Sequence, residues 1–352
     1  MNPLLKSLRD MAEMRTKSNE ANSTGQSGFG SNFTFNGYVP KILAKIRQED
    51  FLFSRVPAEN VHKMTAGIVT VPVEGDDPTF YPASENANDP TEPGPYTSSK
   101  AGTASATLTA RKAVCRVPIT TEMLEDNITD EDFEQYVIAK IAKAFPRTID
   151  TLLLVGDTTT GSTNVNNDGA SASTTSMYIQ QDGLVKAALD NATDYNGGTL
   201  DTGDIRAARA LMGLRGVNPK DLVAVMDIYT YNKILNLGQV ETVEKFGAKA
   251  TIVDGVLRSI DGMEVLPTDV LTLAASNGKV SSTGGNNTLG RIVLVHKPSL
   301  VIGFRRELTI KPYQKDDNDQ VGIIATFRYA QALPFAATSG AKAQALVRNI
   351  TV

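Results

Sequence analysis

The fold of this chain is decided by residues 117–127, Val-Pro-Ile-Thr-Thr-Glu-Met-Leu-Glu-Asp-Asn, which lead into the most periodic part of the sequence. Thr129 follows as a candidate N-cap, and acidic residues crowd the next turn, where the helix dipole favours negative charge. Apolar residues then recur at helical spacing. The pattern predicts one long helix over residues 129–154, which Pro146 should kink or divide. Helix capping explains the acidic run better than metal binding or acid–base chemistry does.

An extended arm precedes this helix. Residues 68–73 and 107–117 are typical of two strands, and the stretch between them is rich in proline and in acidic residues. A two-stranded ribbon is marginally stable alone in water, and long loops in compact domains are commonly functional or disordered. We therefore expect the arm to pack on another subunit, the alternative being a disordered surface insertion. The candidate contact residues are Asp76, Asp77, Glu85, Asp89 and Glu92.

Helix and strand patterns alternate in the second half of the chain. Helices are predicted at 184–189, 205–212 and 228–237, a buried strand at 222–226, an edge strand at 262–267, and further strands at 291–296, 300–313 and 320–335. The last two strands form an antiparallel hairpin around residues 316–319. The mixture of an extended arm, a long helix, alternating elements and a β-rich end predicts an α+β fold.

Composition narrows the possible functions. The 352 residues are 41% hydrophobic and 21% charged, which allows a sizeable core, and the net charge of −4 does not indicate a nucleic-acid-binding protein. The single cysteine, Cys115, excludes an internal disulfide and a cysteine-based metal cluster. No apolar run is long enough to span a membrane, and residues 1–17 lack the apolar core of a signal peptide. We expect no membrane partner.

Residue patterns of known catalytic and metal sites are absent. His62 and His296 stand alone, without the spacing of a zinc-binding helix. The stretch 285–292 resembles a phosphate-binding loop, but Arg291 replaces the lysine, an isoleucine replaces the metal-binding hydroxyl, and a strand is predicted to follow. The acidic run at 316–319 fits a solvated turn better than a cation site. The sequence predicts no catalytic residue, cofactor or metal.

The order of these parts resembles that of the major capsid proteins of tailed bacteriophages, of the Hong Kong 97 fold type. The resemblance runs from about residue 36 to the C-terminus. It rests on the 117–127 segment with its helix closed by Gly156-Asp157, on the stretches 224–235 and 261–267, and on the strands 301–310 and 323–332. It implies an N-terminal arm (1–50), a region containing an extended E-loop hairpin (51–116), a P-domain with a long spine helix (117–194), an A-domain (195–289), and P-domain strands with a C-terminal return toward the A-domain (290–352).

The resemblance implies assembly rather than catalysis. Subunits would form hexamers and pentamers, and these would close in the host cytoplasm into an icosahedral head around double-stranded DNA, bound non-specifically. Portal, scaffold and decoration proteins are the further partners expected, and the short arm suggests a separate scaffold protein or none. The acidic E-loop predicts a basic surface on its neighbour, for which the candidates are Arg305, Arg306, Lys311 and Lys315, or Arg111, Lys112 and Arg116.

Three alternatives remain open from the sequence. The first is an encapsulin, a bacterial compartment shell of the same fold that encloses enzymes. The N-terminal arm and the extended arm before the long helix favour a phage protein over an encapsulin. An α/β enzyme with a β-insert would require a convergent polar site, which the sequence does not show. An extracellular adhesin is disfavoured because no signal sequence is visible.

Overall fold

The computed structural model describes residues 51–75, 77–82, 97–120, 133–237, 252–253, 256–315 and 320–352, all from one compact unit of the chain. The α-helices are α1 (Phe133–Val155), α2 (Leu184–Asp190), α3 (Thr202–Leu211) and α4 (Ile228–Leu235). The short 3₁₀ helices are Leu52–Arg55, Ala58–Asn60, Met177–Gln180, Gly213–Gly216, Pro219–Asp221, Gly284–Asn286 and Lys297–Ser299. The predicted N-terminal arm, the N-cap at Thr129 and the hairpin turn at 316–319 lie outside the described residues.

The strands form two larger sheets and two ribbons. They are β1 (Val61–Lys63), β2 (Ile68–Glu74), β3 (Thr103–Thr109), β4 (Arg111–Thr120), β5 (Asp194–Gly198), β6 (Leu222–Met226), β7 (Ile252–Val253), β8 (Val256–Leu257), β9 (Ser259–Ile260), β10 (Met263–Pro267), β11 (Leu289–His296), β12 (Val301–Lys315), β13 (Gln320–Ala332) and β14 (Gln344–Thr351). The six-stranded sheet has the order β5-β14-β11-β6-β10-β9, and the four-stranded sheet the order β1-β12-β13-β4. The ribbons are β2-β3 and β7-β8.

The six-stranded sheet is covered by helices on both faces. Every residue of β6 is buried, as expected for a strand with helices on either side. Val223 and Val225 belong to the apolar cluster that includes α1 and α2, whereas Ala224 belongs to the cluster that includes Ile205 of α3 and Ile234 of α4. The alternation of a strand therefore supplies two cores, one on each side of the same sheet.

Helix α1 joins the six-stranded sheet to the four-stranded one. Leu152 lies in the same cluster as residues of both sheets and is fully buried. Nearer the helix start, the ring of Phe145 packs edge-on against Phe327 of β13, with centroids 5.0 Å apart. Phe304 of β12 continues this aromatic contact to Tyr329, at 5.6 Å. The helix is thus a shared support for both sheets.

Several predictions from sequence are corrected by the fold. Helix α1 runs through Pro146 undivided. The strand predicted over 107–117 is two strands that meet at Ala110. Strand β3 pairs with β2, a ladder that the N–H of Ala110 extends by donating to the carbonyl of Gly67, whereas β4 pairs with β13. The stretch predicted as an edge strand, β10, lies between β6 and β9. Strands β5 and β14 were not predicted, although β14 occupies an interior place in the six-stranded sheet.

Candidate assembly surface

One face of the four-stranded sheet is turned away from the two cores that contain residues of α1. At one end of this face, Val301 and Ala330 are covered by Met64 and by Leu108 of β3. Strand β13 lies between β12 and β4, and its side chains alternate. Ala325 and Phe327 point into apolar clusters with α1 residues. Their neighbours Ile324, Thr326 and Arg328 are only partly buried and point to the opposite side. This outer face is where the basic residues of three strands meet.

Strand register brings five basic side chains onto this face. Arg328 is opposite Lys112 of β4 and Arg306 of β12, so three cations form one row across three strands. Ile324 is likewise flanked by Arg116 of β4 and Lys311 of β12. Residues that are direct partners in register share a face of the sheet. We call this set the cationic face: Lys112, Arg116, Arg306, Lys311 and Arg328.

The charges of the cationic face are not neutralised within the described part of the chain. No described carboxylate forms an ion pair with any of its five members. The guanidinium of Arg116 lies 4.5 Å from the centre of the Tyr313 ring, a cation–π contact that positions the side chain without cancelling its charge. The Nε of Arg328 is buried and has no hydrogen-bond partner among the described residues. Like charges side by side on a sheet are mutually destabilising, so the face favours an anionic partner.

Arg305, a predicted member of the basic surface, has a different role. It lies at a β-bulge, because the pairing of β12 with β13 skips from Phe304 to Arg306. Its guanidinium donates to the carbonyl of Met64, at 3.1 Å, and to that of Thr65. These two residues belong to the segment that connects β1 to β2. Arg305 therefore anchors this connection, whereas Arg306 and Lys311 remain exposed on the cationic face.

The acidic candidates fall mostly outside the described residues. Asp77 is described and exposed, three residues beyond the end of β2. Asp76, Glu85, Asp89 and Glu92 lie outside the described ranges. The predicted contact between acidic and basic residues therefore stays a prediction.

Sequence reasoning missed Arg328, although a signal for it existed. Residues Ala325 to Tyr329 alternate between apolar and more polar types, which would have placed Arg328 on the solvent side of a strand. Its neighbours Lys112 and Arg306 depend on register, which no local pattern indicates.

A buried polar network holds the end of α1. Asp157 is almost completely buried, and Lys186 donates to it at 2.8 Å and to Asp182 at 3.0 Å. Burial by itself would raise the pKa of Asp157, but the hydrogen bonds from Lys186 and from the amides of Thr159 and Val165 outweigh it and lower that pKa. Burial would likewise lower the pKa of Lys186, but the two carboxylates outweigh it and raise it. The network is structural because each charge is satisfied inside the chain.

A second buried carboxylate anchors the segment before β1. Asp150 of α1 is fully buried and accepts hydrogen bonds at 2.8 Å from the amides of Leu52 and Phe53. Burial raises its pKa to about 6, although both hydrogen bonds and the charge of Arg55 act to lower it. This carboxylate is therefore half-protonated near pH 6.

The remaining polar candidates have structural roles. The Nδ1 of His296 is 2.8 Å from the hydroxyl of Ser299, and burial together with nearby Arg215 lowers its pKa. Arg291, from the phosphate-loop-like stretch, is buried and donates to the carbonyls of Gly278 and Thr272. Among the residues described, no three His, Cys, Asp or Glu side chains are placed to hold a metal ion. None of the described helices is both long and apolar enough to cross a membrane.

Solved structures with the same architecture come from phage particles. A chain of Microbacterium phage Oxtober96 has a TM-score of 0.61 at 15% identity, covering 93% of this chain and 99% of that one. A chain of Mycobacterium phage Bobi has a TM-score of 0.61 at 16% identity, covering 93% and 98%. The capsid of a native GTA particle has a TM-score of 0.59 at 14% identity, covering 94% and 100%. At these identities the likeness shows the fold, which is that of tailed-phage major capsid proteins.

The sequence itself identifies the family. The model of the phage capsid family matches residues 36–334, most of the chain. This chain therefore belongs to the phage capsid family, and its role is structural rather than enzymatic, as a component of the virion. No protein of curated function matches it by sequence.

Proposed function

We propose that this protein is the subunit of an icosahedral phage head, assembled as hexamers and pentamers in the host cytoplasm and closed around double-stranded DNA. The family and the structural neighbours support self-assembly into a capsid shell. Packaged DNA would be bound non-specifically, and portal, scaffold and decoration proteins would be further partners. No cofactor is part of this function.

The described elements are assigned to the parts of a Hong Kong 97-type subunit as follows. The ribbon β2-β3 belongs to the E-loop within residues 51–116. Helix α1 is the spine helix of a P-domain that includes the four-stranded sheet. Residues 195–289, with β11 and β14 completing the six-stranded sheet, form the A-domain. Residues 1–50, which lie outside the described ranges, are assigned to the N-terminal arm from the resemblance alone.

The cationic face is the observation that carries the proposed contact between subunits. Five basic side chains without described acidic partners favour an anionic ligand, and the same chain supplies one in the acidic stretch that follows β2. We expect Asp76, Asp77, Glu85, Asp89 and Glu92 of one subunit to face this surface on the next. Isolated exposed ion pairs contribute little, about 0–1 kcal/mol each, but a shell repeats every contact many times.

A charge-swap experiment tests the contact. Asp76→Lys with Asp77→Lys, and separately Arg306→Glu with Lys311→Glu, should each lower the yield of particles measured by light scattering. Combining all four changes should restore part of the yield. Lys220→Glu, a charge reversal at an exposed residue elsewhere on the subunit, is the matched control and should assemble normally. Normal assembly of both double variants would contradict the contact.

The shell itself is tested by the size of the purified protein. Size-exclusion chromatography with light scattering and negative-stain microscopy should show megadalton particles or discrete pentamers and hexamers. A protein that stays monomeric or dimeric even with a candidate scaffold protein would contradict the proposal. Particles that enclose protein cargo instead of DNA would indicate an encapsulin-type compartment.

A further inference from the structure

The open edge of β4 is a second feature that the described chain leaves without a partner. Strand β4 is the last strand of the four-stranded sheet, and β13 is its one ladder partner among the described strands. Its ten residues make a long edge, and exposed edge strands pair readily with strands of other chains.

The direction of the free backbone groups follows from Pro118. Proline has no amide hydrogen, so it cannot occupy a hydrogen-bonded pair with its partner Gly322. In an antiparallel ladder the hydrogen-bonded and non-hydrogen-bonded pairs alternate. The N–H and C=O groups of Lys112, Val114 and Arg116 therefore point away from β13. Outside the β4–β13 ladder, no described group accepts a hydrogen bond from any of these amides.

The surroundings of this edge fit an extended, acidic segment. The side chain of Val114 is 55% exposed between two cations of the cationic face, Lys112 and Arg116. A cleft of about 580 Å³ opens beside the start of the strand. It is lined by basic and hydroxyl side chains and by parts of the 174–180 loop, among them Arg111, Lys112, Thr158, Thr160, Thr174 and Thr175. Natural proteins protect edge strands by shortness, by a cover, or by charged side chains and proline. The ten-residue edge of β4 has no partner among the described strands, and Lys112, Arg116 and Pro118 restrict which strands can pair with it.

The ribbon of the same chain offers a matching edge. Strand β2 pairs with β3 only, and Pro72 is opposite Ser105. The same argument turns the backbone groups of Ile68 and Thr70 to the outer edge, and the described residues supply no partner for their amides. The side chain of Ile68 is 62% exposed, and exposed Glu74 ends the strand.

We propose that the outer edge of β2 of a second copy pairs with the open edge of β4, so that the ribbon of one subunit extends the four-stranded sheet of another. The inference rests on the proposed shell function and deepens it, because it replaces a purely ionic contact with a backbone ladder. Main-chain hydrogen bonds supply the affinity in such strand additions, and side chains supply the specificity. Ile68 and Val114 cover each other.

Proline substitution at the edge provides a first test. Val114→Pro removes an outward amide hydrogen and no ladder bond, so the subunit should fold, whereas the concentration needed for assembly should rise at least tenfold. Val114→Ala keeps the amide and is the control, with an assembly threshold within a factor of about three of the parent. Assembly of the proline variant at the parental concentration would overturn the proposal.

Hydrogen exchange tests the edge without any substitution, so it does not depend on the folding of the proline variant. In particles of the parent protein, the amides of the segment 112–116 should exchange at least tenfold more slowly than in dissociated subunits. Those of β6, buried in both states, should not change. Equal exchange of the 112–116 segment in both states would overturn the pairing.

Disulfide trapping identifies the occupant of the edge. In a Cys115→Ala background, Val114→Cys combined with Ile68→Cys or with Thr70→Cys should give intersubunit cross-links on oxidation of particles. Side chains of directly opposed residues lie within the distance that a disulfide requires. Val114→Cys with Lys220→Cys should not cross-link. Absence of cross-links at both β2 positions in intact particles would show another occupant and overturn the proposal, while failure of the parent to form any particle would instead contradict the shell function.

Discussion

The six-stranded sheet and the four-stranded sheet of this subunit differ in how completely the chain itself satisfies them. The six-stranded sheet has helices on both faces, a β6 with no exposed residue, and a buried network around Asp157 whose charges are all paired. The four-stranded sheet has its larger cores on one face, and on the other only the small cluster of Met64, Leu108, Val301 and Ala330 at one end. The rest of that second face carries five cations without described ionic partners, and β4 has an edge without a partner among the described strands. The difference teaches that the subunit completes one sheet by itself and leaves the other with charges and a strand edge that have no partner among the described residues.

The largest expected loss in the free energy of unfolding comes from opening a cavity beside the six-stranded sheet. Leu294→Ala on β11 removes a fully buried side chain from the cluster with α3 and α4. It should lower the free energy of unfolding by about 2–5 kcal/mol. Val114→Ala on the open edge should lower it by less than about 0.5 kcal/mol. Urea unfolding of dissociated subunits measures both, and equal losses would remove the distinction between the sheets.

The next largest change in the free energy of unfolding depends on pH. It comes from Asp150 of α1, the helix that supports both sheets. The pKa of Asp150 is about 6 in the folded protein and 3.8 as its ordinary value, so the folded state binds the proton more tightly. The stability that this proton contributes is full below pH 4 and is lost as the pH rises through 6, by up to about 3 kcal/mol.

Comparison with an uncharged variant isolates this contribution. Asp150→Asn should abolish the component of the stability profile that falls between pH 4 and 6. Asp157 acts in the opposite sense, because its lowered pKa adds stability above pH 4 that is lost on further acidification. Urea unfolding from pH 4 to 7 for both proteins measures the difference. Identical profiles would contradict the raised pKa of Asp150.

A smaller effect is expected where a helix of the six-stranded region begins. Asp201 caps α3 by accepting from the amide of Thr202, and Asp204 accepts from the amide of Asp201 in return. Asp201→Ala should lower the free energy of unfolding by about 1 kcal/mol. Thermal unfolding should show the loss, with Asp201→Asn, which keeps a capping oxygen, close to the parent.

The smallest effect on the free energy of unfolding is expected on the cationic face, although a contact between subunits is proposed there. Arg306→Glu should change the free energy of unfolding by no more than about 0.5 kcal/mol in either direction, because the side chain is exposed and lacks a described ionic partner. Chemical unfolding of the dissociated variant would check this. A loss above about 1.5 kcal/mol would mean that Arg306 supports the subunit itself.

The sequence allowed the local elements to be predicted and left the long-range ones undetermined. Strand β6 and helix α2 carry their periodicity within a few residues, and both were predicted closely. Strand β5 reads Asp-Tyr-Asn-Gly-Gly, which has no preference for extended structure and is held by its pairing with β14. The break between β3 and β4 depends on a change of partner strand, from β2 to β13, and both partners are distant in the sequence.

The candidate surface was likewise predictable where its residues are close in sequence, and not where strand pairing brings them together. The basic residues of β12 could be named from the sequence because they are close together in it. That Arg305 would turn back to hold Met64 and Thr65, and that Arg328 would join Lys112 and Arg306, depended on a bulge and on register. Both features arise from the pairing of strands distant in sequence, where local propensity carries no information.

The interior place of β14 has a consequence for synthesis on the ribosome. Strands β5 and β11 both pair with β14, which comes well after both of them in the chain. Until residues 344–351 have left the exit tunnel, β5 has no neighbour in the sheet and β11 has an open side. A nascent chain therefore completes the six-stranded sheet only once residues 344–351 can pair with β5 and β11.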